Sequence, residues 1–374
     1  TDSLLKGFTD EYPDKIILFL TATPQNLIFF YESIGKEFDL NYPSDIDYSY
    51  VEKLRMFGKK DSVESILQNL DYTEKAIYFS NTTKEAYSMS MFKFDDSAFI
   101  CAEGNKEHGR DSNKEVVRQI AEDDSFEPKI LCTTKVLDNG VNIVDSDVKT
   151  IIIESSDPIN IIQSLGRKRI TGENEKIKVY IKDVPYHILK KKKEAMEKIV
   201  ETALFLRERG KEEFQQHYRK SSFDSVVDNA GGENPAKFYA ASYMIMVYKE
   251  MMKLGFEKYI KKLLNYSDEI KSSDEEFKKK SFLEIIESYS GRKLFEEERM
   301  EFRRKLINFV YMPKKRINYK RMGMGIINSH LESFNIPYYV ISRQETAGER
   351  RKDTYWILSQ IPDFVSEEEN LEKE

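Results

Sequence analysis

Thr150-Ile151-Ile152-Ile153 is followed by Asp157-Pro158 and then by a helical pattern from Ile159 that ends in Gln163-Ser164-Leu165-Gly166-Arg167-Lys168-Arg169. A short apolar run thus passes through a Pro turn into a helix that finishes on three consecutive cations. The same alternation recurs outward from it. Apolar runs at 16–20, 76–79, 99–101, 130–132 and 177–181 are bounded by polar or turn residues, with helical segments such as 114–122 between them. Runs this short and continuous read as strands buried on both faces, and strands alternating with helices need crossover connections. The fold expected for residues 15 to about 185 is α/β, a parallel sheet with helices on both faces.

The pattern changes at the four lysines 190–193, read as the solvated start of a long helix with Met196, Ile199, Val200, Ala203 and Leu204 on one face. A loop with Asn229, Gly231, Gly232 and Pro235 precedes a second helix over 236–264, whose Met and aromatic stripe reads as packing core. Past a polar stretch, helices are expected near 295–311 and 324–334. Two short runs, 336–342 and 354–358, then surround a charged loop containing Gly348 and read as a hairpin. Helices followed by a hairpin with a basic loop resemble a winged-helix module.

Composition narrows the function. The net charge of −6 argues against nucleic acid until its distribution is considered: residues 302–361 hold twelve Lys and Arg against four Asp and Glu. A basic module on an acidic body suits a phosphate-bearing partner. Cys101 and Cys132 form no CxxC pair and suit a reducing compartment, so the expected localisation is cytoplasmic. The four histidines form no HExxH, and no metal site is expected. No apolar run is long enough to span a bilayer, so no membrane partner is expected.

Four constellations carry chemistry. Leu20-Thr21-Ala22-Thr23-Pro24 ends an apolar run in two hydroxyls. Phe79-Ser80-Asn81-Thr82 ends a second run in small polar groups suited to phosphate oxygens. Thr134 stands six residues before Gly140, with Asn142 two further on; glycine there permits close backbone approach to a ligand. Gln163, Gly166, Arg167 and Arg169 form the cationic helix end, and an arginine fork binds phosphoryl oxygens in pairs.

In this order and spacing the four resemble motifs III to VI of the superfamily 2 (DEAD/DEAH-box type) helicases. The resemblance spans residues 15–183. It implies a RecA-like sheet, then a mainly helical region and the small winged-helix-like α+β unit. The implied divisions are 1–24, the end of a first RecA-like domain; 25–188, a second RecA-like domain; 189–290, helical; 291–362, the basic module; and 363–374, a disordered acidic tail. It implies that Thr21 and Thr23 couple the ATP state to the nucleic acid. Ser80, Asn81, Thr82 and Thr134 would lie along the strand's backbone. Gly140, Asn142 and Gly166 would border ATP, and Gln163, Arg167 and Arg169 would act on its phosphates, with Arg167 the leading arginine finger. Many members carry the second arginine seven residues after the Gln, where this chain has Ile170; Arg169 comes one residue early.

A complete motor also needs a Gly-rich loop with Lys for phosphates and an acidic pair for magnesium. The only approach to the first is Gly104-Asn105-Lys106-Glu107-His108-Gly109-Arg110-Asp111, with Arg110 in place of Lys and Asp111 in place of Ser or Thr, and it reads as a connection within the sheet. The expectation is a piece of an ATP-dependent helicase or translocase that uses ATP and Mg2+ as a whole protein. Neither is expected to bind to this stretch alone, which is expected to be inactive without an amino-terminal RecA-like partner. DNA is favoured over RNA. Lys315, Arg316, Lys320 and Arg321, before or within a helix, with Arg343, Arg350 and Arg351 about the hairpin, are the second nucleic-acid candidate. The alternatives are a non-catalytic nucleic-acid-binding module and a motor subunit of a restriction or defence system.

Overall fold

Strands buried on both faces must be apolar throughout, and the chain meets that condition at its centre. In the computed structural model, which describes residues 16, 18–42, 47–58, 61–135, 141–172, 174–218, 226–227, 232–306, 309 and 322–361, six strands form a parallel sheet. They are β1 (Val51–Phe57), β2 (Lys75–Phe79), β3 (Ser97–Phe99), β4 (Ile130–Thr133), β5 (Val148–Ile153) and β6 (Ile177–Lys182). The two-residue β7 (Lys271–Ser272) extends the edge. The order is β3-β4-β2-β5-β6-β1-β7, and every pairing is parallel. Ile77, Leu131, Ile151, Ile152 and Ile153 have no exposure. At about 1.5–3 kcal/mol for each fully buried aliphatic side chain, these central strands dominate the burial energy of the sheet.

One expected strand is corrected. Residues 16–20 join no sheet among the described residues, and Ile16, Leu18 and Leu20 are largely exposed. An apolar run becomes a buried strand only beside a neighbour that satisfies its backbone, and neither edge of this sheet receives it. The sixth long strand is β1 instead. Its sequence Val-Glu-Lys-Leu-Arg-Met-Phe hides it among charges, yet Leu54 and Phe57 are fully buried.

Helices α1 (Gln25–Ser33), α2 (Asp61–Gln68), α3 (Thr83–Lys93), α4 (Lys114–Asp123) and α5 (Pro158–Arg167) make up the α part of this pattern. Each of the last three begins on a side-chain cap: Thr82, Asn113 and Asp157 accept backbone N–H groups of the first turn. The long α6 (Tyr186–His217), α7 (Pro235–Leu254) and α8 (Phe256–Leu263) follow. Gly255, at φ +87°, divides the helix expected over 236–264 into α7 and α8.

Contacts divide the chain at Ser272, into Thr1–Ser272 and Ser273–Glu374. This departs from the helical division expected over 189–290. Tyr243, Val247, Met251 and Ile260 of α7 and α8 share one core with Leu54, Ile77, Ile151 and Val179 of the sheet. The aromatic and Met stripe therefore buries against the sheet layer, and α6 to α8 belong with it. The second unit opens with α9 (Ser273–Tyr289) and continues through α10 (Glu296–Leu306), α11 (Met324–Ser333) and the antiparallel hairpin of β8 (Tyr338–Gln344) and β9 (Thr354–Gln360). Bridges from Ser290 and Leu294 to β9 add a short third line between α9 and α10. Phe282, Phe302, Ile327, Trp356 and Leu358 form this unit's own core.

The glycine-rich stretch 104–111 is a turn that leads from β3 to α4. Asn105 Oδ1 accepts from the N–H groups of Glu107 and His108 (3.1 and 2.8 Å), and Asn105 Nδ2 donates to Thr83 Oγ1 (3.3 Å). A Cβ on Gly109 would stand 2.5 Å from the Glu103 carbonyl oxygen and 2.6 Å from that of Asn105. Gly109→Ala is therefore expected to destabilise the first unit by about 1–3 kcal/mol in denaturant unfolding, a packing cost independent of any phosphate.

Candidate functional site

Helix α5 has a constellation at each end. Its first turn lies beside the carboxyl ends of β2, β4 and β5, the edge at which open parallel sheets bind ligands. There Glu154, directly after β5 and almost fully buried, organises the polar groups. Its Oε2 accepts from Ser80 Oγ (3.0 Å) and from the Asn81 N–H (3.2 Å), and its Oε1 accepts from Lys182 Nζ (2.8 Å). Asn81 Nδ2 donates to the Glu154 carbonyl oxygen (2.8 Å). Burial pushes the Glu154 carboxyl up, but the Lys182 ion pair and the Asn81 N–H outweigh it and hold the group below the ordinary glutamate range. The result is a cleft of about 290 Å3 lined by Ser80, Asn81, Thr134, Lys135, Ser155 and Asn160.

Not every predicted residue here is available to a ligand. Thr82 is occupied as the cap of α3: its hydroxyl accepts from the Glu85 N–H (3.2 Å) and donates to the Glu85 carboxylate (3.2 Å). Asp157 Oδ1 caps α5 by accepting from the Ile159 N–H (2.9 Å), and burial raises its carboxyl above the ordinary range.

At the far end of α5, about 15 Å along a ten-residue helix, two predicted motifs meet. Ile143 and Lys168 form a parallel bridge through Ile143 N–H to the Arg167 carbonyl (2.8 Å) and Arg169 N–H to the Ile143 carbonyl (2.8 Å). Half-buried Arg167 donates from Nη1 to the Val141 carbonyl (3.1 Å). Exposed Arg169 donates from Nε to Asn142 Oδ1 (2.8 Å). Asn142 and the two arginines are thus brought together. Gly166 lies on α5 with nothing within 4 Å of where a Cβ would stand, so packing within the chain does not require glycine there. Gln163 sits half-buried, midway between the two ends.

The three cations of this motif divide. Lys168 is buried and ion-paired with Glu175, which also accepts from the Thr171 N–H (3.0 Å). It is a structural cation, unlike its two neighbours. The cleft runs along α5 from Asn160 to Ser164, one turn before Arg167, so the 134–142 stretch meets the cleft at its Thr134 end and the arginines at its Asn142 end.

Thr21 and Thr23 are held by local bonds, the Thr23 N–H donating to Thr21 Oγ1 (3.1 Å). The helix that follows them packs by Phe29 on Tyr243 and by Phe30 on Tyr239, with centroids 5.7 and 5.0 Å apart. Gly140, Lys315, Arg316, Lys320, Arg321 and the tail 363–374 lie outside the described residues. In the second unit Arg343, Arg350 and Arg351 are exposed, and the Arg350 guanidinium stands 4.5 Å from the Phe295 ring centroid. Glu154, Lys135 and Asn160 were missed by the sequence reading. The carboxylate directly after the Thr150–Ile153 run was the one signal that could have found Glu154. No helix among the described residues is long and apolar enough to cross a membrane.

Residues 58–170 match the family model of the helicase conserved C-terminal domain. No curated protein is significantly similar to the chain. Similar solved structures include the C-terminal part of the Fun30 ATPase domain, with 15% identity over 52% of this chain and 53% of that one and a TM-score of 0.26. Another is the DEAD-box helicase Mss116 bound to ssRNA and UDP-BeF, with 16% identity over 60% and 51% and a TM-score of 0.28. The chain spans about half the length of each. By this match residues 58–170 are a helicase conserved C-terminal domain, and the motifs at 79–82, 134–142 and 163–169 fall within it.

Proposed function

We propose that this chain supplies the nucleic-acid-gripping and arginine-bearing half of an ATP-driven helicase or translocase, with DNA the favoured strand. The observation that carries the reading is α5 itself. One end borders a cleft of hydroxyls, amides and Lys135 suited to a phosphodiester backbone, and the other holds Arg167 and Arg169 against Val141 and Asn142. Gln163, Arg167 and Arg169 fit a transferring phosphoryl group, whose charge a guanidinium fork stabilises. The described residues do not fit magnesium, since no cluster of His, Cys, Asp or Glu among them could hold a metal ion. In this reading ATP's phosphates and the metal are held by a separate RecA-like domain, and the chain alone is expected not to hydrolyse ATP.

The test is binding of a labelled single-stranded oligonucleotide to the chain, read by fluorescence anisotropy. Binding should weaken steeply with salt. The double variant Thr134→Val, Lys135→Ala should lower affinity by about tenfold and reduce the salt slope by about one. Equal affinity of variant and wild type would remove the cleft from the proposal. Parallel titrations with DNA and RNA decide the strand.

The second unit supports a further contact. Its order of helix, bridge, helix, helix and hairpin supports reading it as a winged-helix unit, with α11 as the candidate recognition helix. The exposed face of α11 shows Ser329 and Glu332, whereas the hairpin shows Arg343, Arg350, Arg351 and Lys352. Among the described residues the cations of this unit gather on the hairpin, which suits contact with a phosphate backbone. The non-catalytic binding module remains the second reading on this ground.

A further inference from the structure

The lysines 190–193 open α6, and successive residues on a helix are turned by about 100°, so they cannot all meet the same surroundings. Lys190 is exposed and lies 3.9 Å from Glu194, and Lys193 pairs with Glu197 at 2.6 Å. Both are ordinary pairs one turn apart. Lys191 is exposed. Lys192 differs from all three. It is half-buried, its ammonium donates to the buried Ser156 hydroxyl at 2.7 Å, and it forms no ion pair among the described residues.

A half-buried ammonium has three donors, and the Ser156 hydroxyl takes one of them. Burial lowers the proton affinity of the Lys192 amine, the charge of Asp157 opposes that, and Lys182 adds to the lowering. The Asp157 carboxylate attracts the ammonium without bonding to it, since its Oδ1 accepts from the Ile159 N–H, and Lys182, bonded to Glu154, repels it.

Ser156 sits in the turn between β5 and α5, next to Ser155 and four residues before Asn160, both of which line the cleft. Lys192 is thereby anchored to the turn whose Ser155 and Asn160 line a site rich in anion-binding groups. We propose that Lys192, contributed by α6 from outside the helicase conserved C-terminal domain, grips a phosphodiester of the strand bound in this cleft, with Ser156 positioning its ammonium. This rests on the nucleic-acid reading above. It assigns the helical region a share of the grip, and not the packing role that its sequence alone suggests.

Binding of a labelled single-stranded oligonucleotide to the full chain, titrated across about 50–200 mM salt, tests it. Lys192→Gln should weaken binding about fivefold and lower the slope of log affinity against log salt by about one. Lys192→Arg should keep both, and Lys191→Gln should behave as wild type. In the wild-type chain the oligonucleotide should protect Lys192, and not Lys191, from acetylation, a readout that does not depend on any variant folding. Competition by inorganic phosphate at constant ionic strength separates the two sources of phosphate: a strand site yields to the oligonucleotide far below the phosphate concentration needed. Wild-type affinity and slope in Lys192→Gln, or no protection of Lys192, overturns this assignment alone. A wild-type chain that binds no oligonucleotide at low salt overturns the nucleic-acid reading itself, and this assignment with it.

Discussion

Glu175→Ala is expected to lower the stability of the first unit by about 3–5 kcal/mol, because it leaves the buried Lys168 ammonium without its partner. The Lys168 side chain has no exposure and that of Glu175 has 6%. Without Glu175 the Lys168 ammonium keeps only the Arg169 carbonyl (2.7 Å) among the bonds described. The double variant Lys168→Met, Glu175→Leu should recover most of the loss, since replacing both ends of a buried pair avoids stranding a charge. Urea unfolding of the three proteins measures this. A Glu175→Ala chain within 1 kcal/mol of wild type, on the scale of about that size for an exposed pair, would show the pair to be solvated.

The pair also sets a direction with pH. Burial raises the Glu175 carboxyl, but the hydrogen bond from Lys168 and the Thr171 N–H more than reverse it, so the folded value lies below the ordinary one. A carboxyl with a depressed folded value contributes fully above its unfolded value, about pH 4.3, and loses that contribution as pH falls through the folded value. Wild-type stability should therefore decline in this acid range with a component that is missing from the double variant.

The second large effect separates the two arginines. In a complete motor, joined to the phosphate-binding domain, Arg169→Ala is expected to reduce strand-stimulated ATP hydrolysis by about a thousandfold, the lower end for loss of an arginine finger. Its melting should be unchanged, because the side chain is exposed and bonds only to Asn142 among the bonds described. Arg167→Ala is expected to lose hydrolysis and stability together. Arg167 is half-buried, and its bond to the Val141 carbonyl helps to hold the 141–143 segment against α5. Sequence pattern alone favours Arg167 as the finger; accessibility favours Arg169 for reaching outward, with Arg167 as its anchor. A steady-state ATPase assay beside a thermal melt distinguishes them. Full activity in Arg169→Ala would return the finger role to Arg167.

The central sheet was legible because strands covered on both faces can carry almost nothing polar. The runs at 76–79, 130–132, 150–153 and 177–181 reappear within β2, β4, β5 and β6. β1 was not legible, since Glu52, Lys53 and Arg55 interrupt its apolar residues beside an edge that only the two-residue β7 covers. Residues 16–20 read as a strand for the opposite reason: their apolarity is real, but pairing depends on a neighbour that the run itself does not encode.

The candidate site was legible as an order of motifs and not as an arrangement. Nothing in Gln163-Ser164-Leu165-Gly166-Arg167-Lys168-Arg169 distinguishes a cation that meets Glu175 from one that meets solvent. Partners far along the chain decide that. Glu154 lies 73 residues from Asn81, and Lys192 looks identical to its three neighbours until Ser156 is brought to it. Caps and runs are local and survive in one dimension, whereas ion pairs between crossover connections do not.

Helix α5 has a mechanical consequence. Its ten residues are too short to bend appreciably and too well hydrogen-bonded to stretch, so its two termini move as one body. In the proposed motor, a strand drawn against the Ser155–Asn160 turn would displace the guanidinium groups by nearly the same amount, and an opposing load applied with an optical trap should slow turnover and stepping in equal proportion.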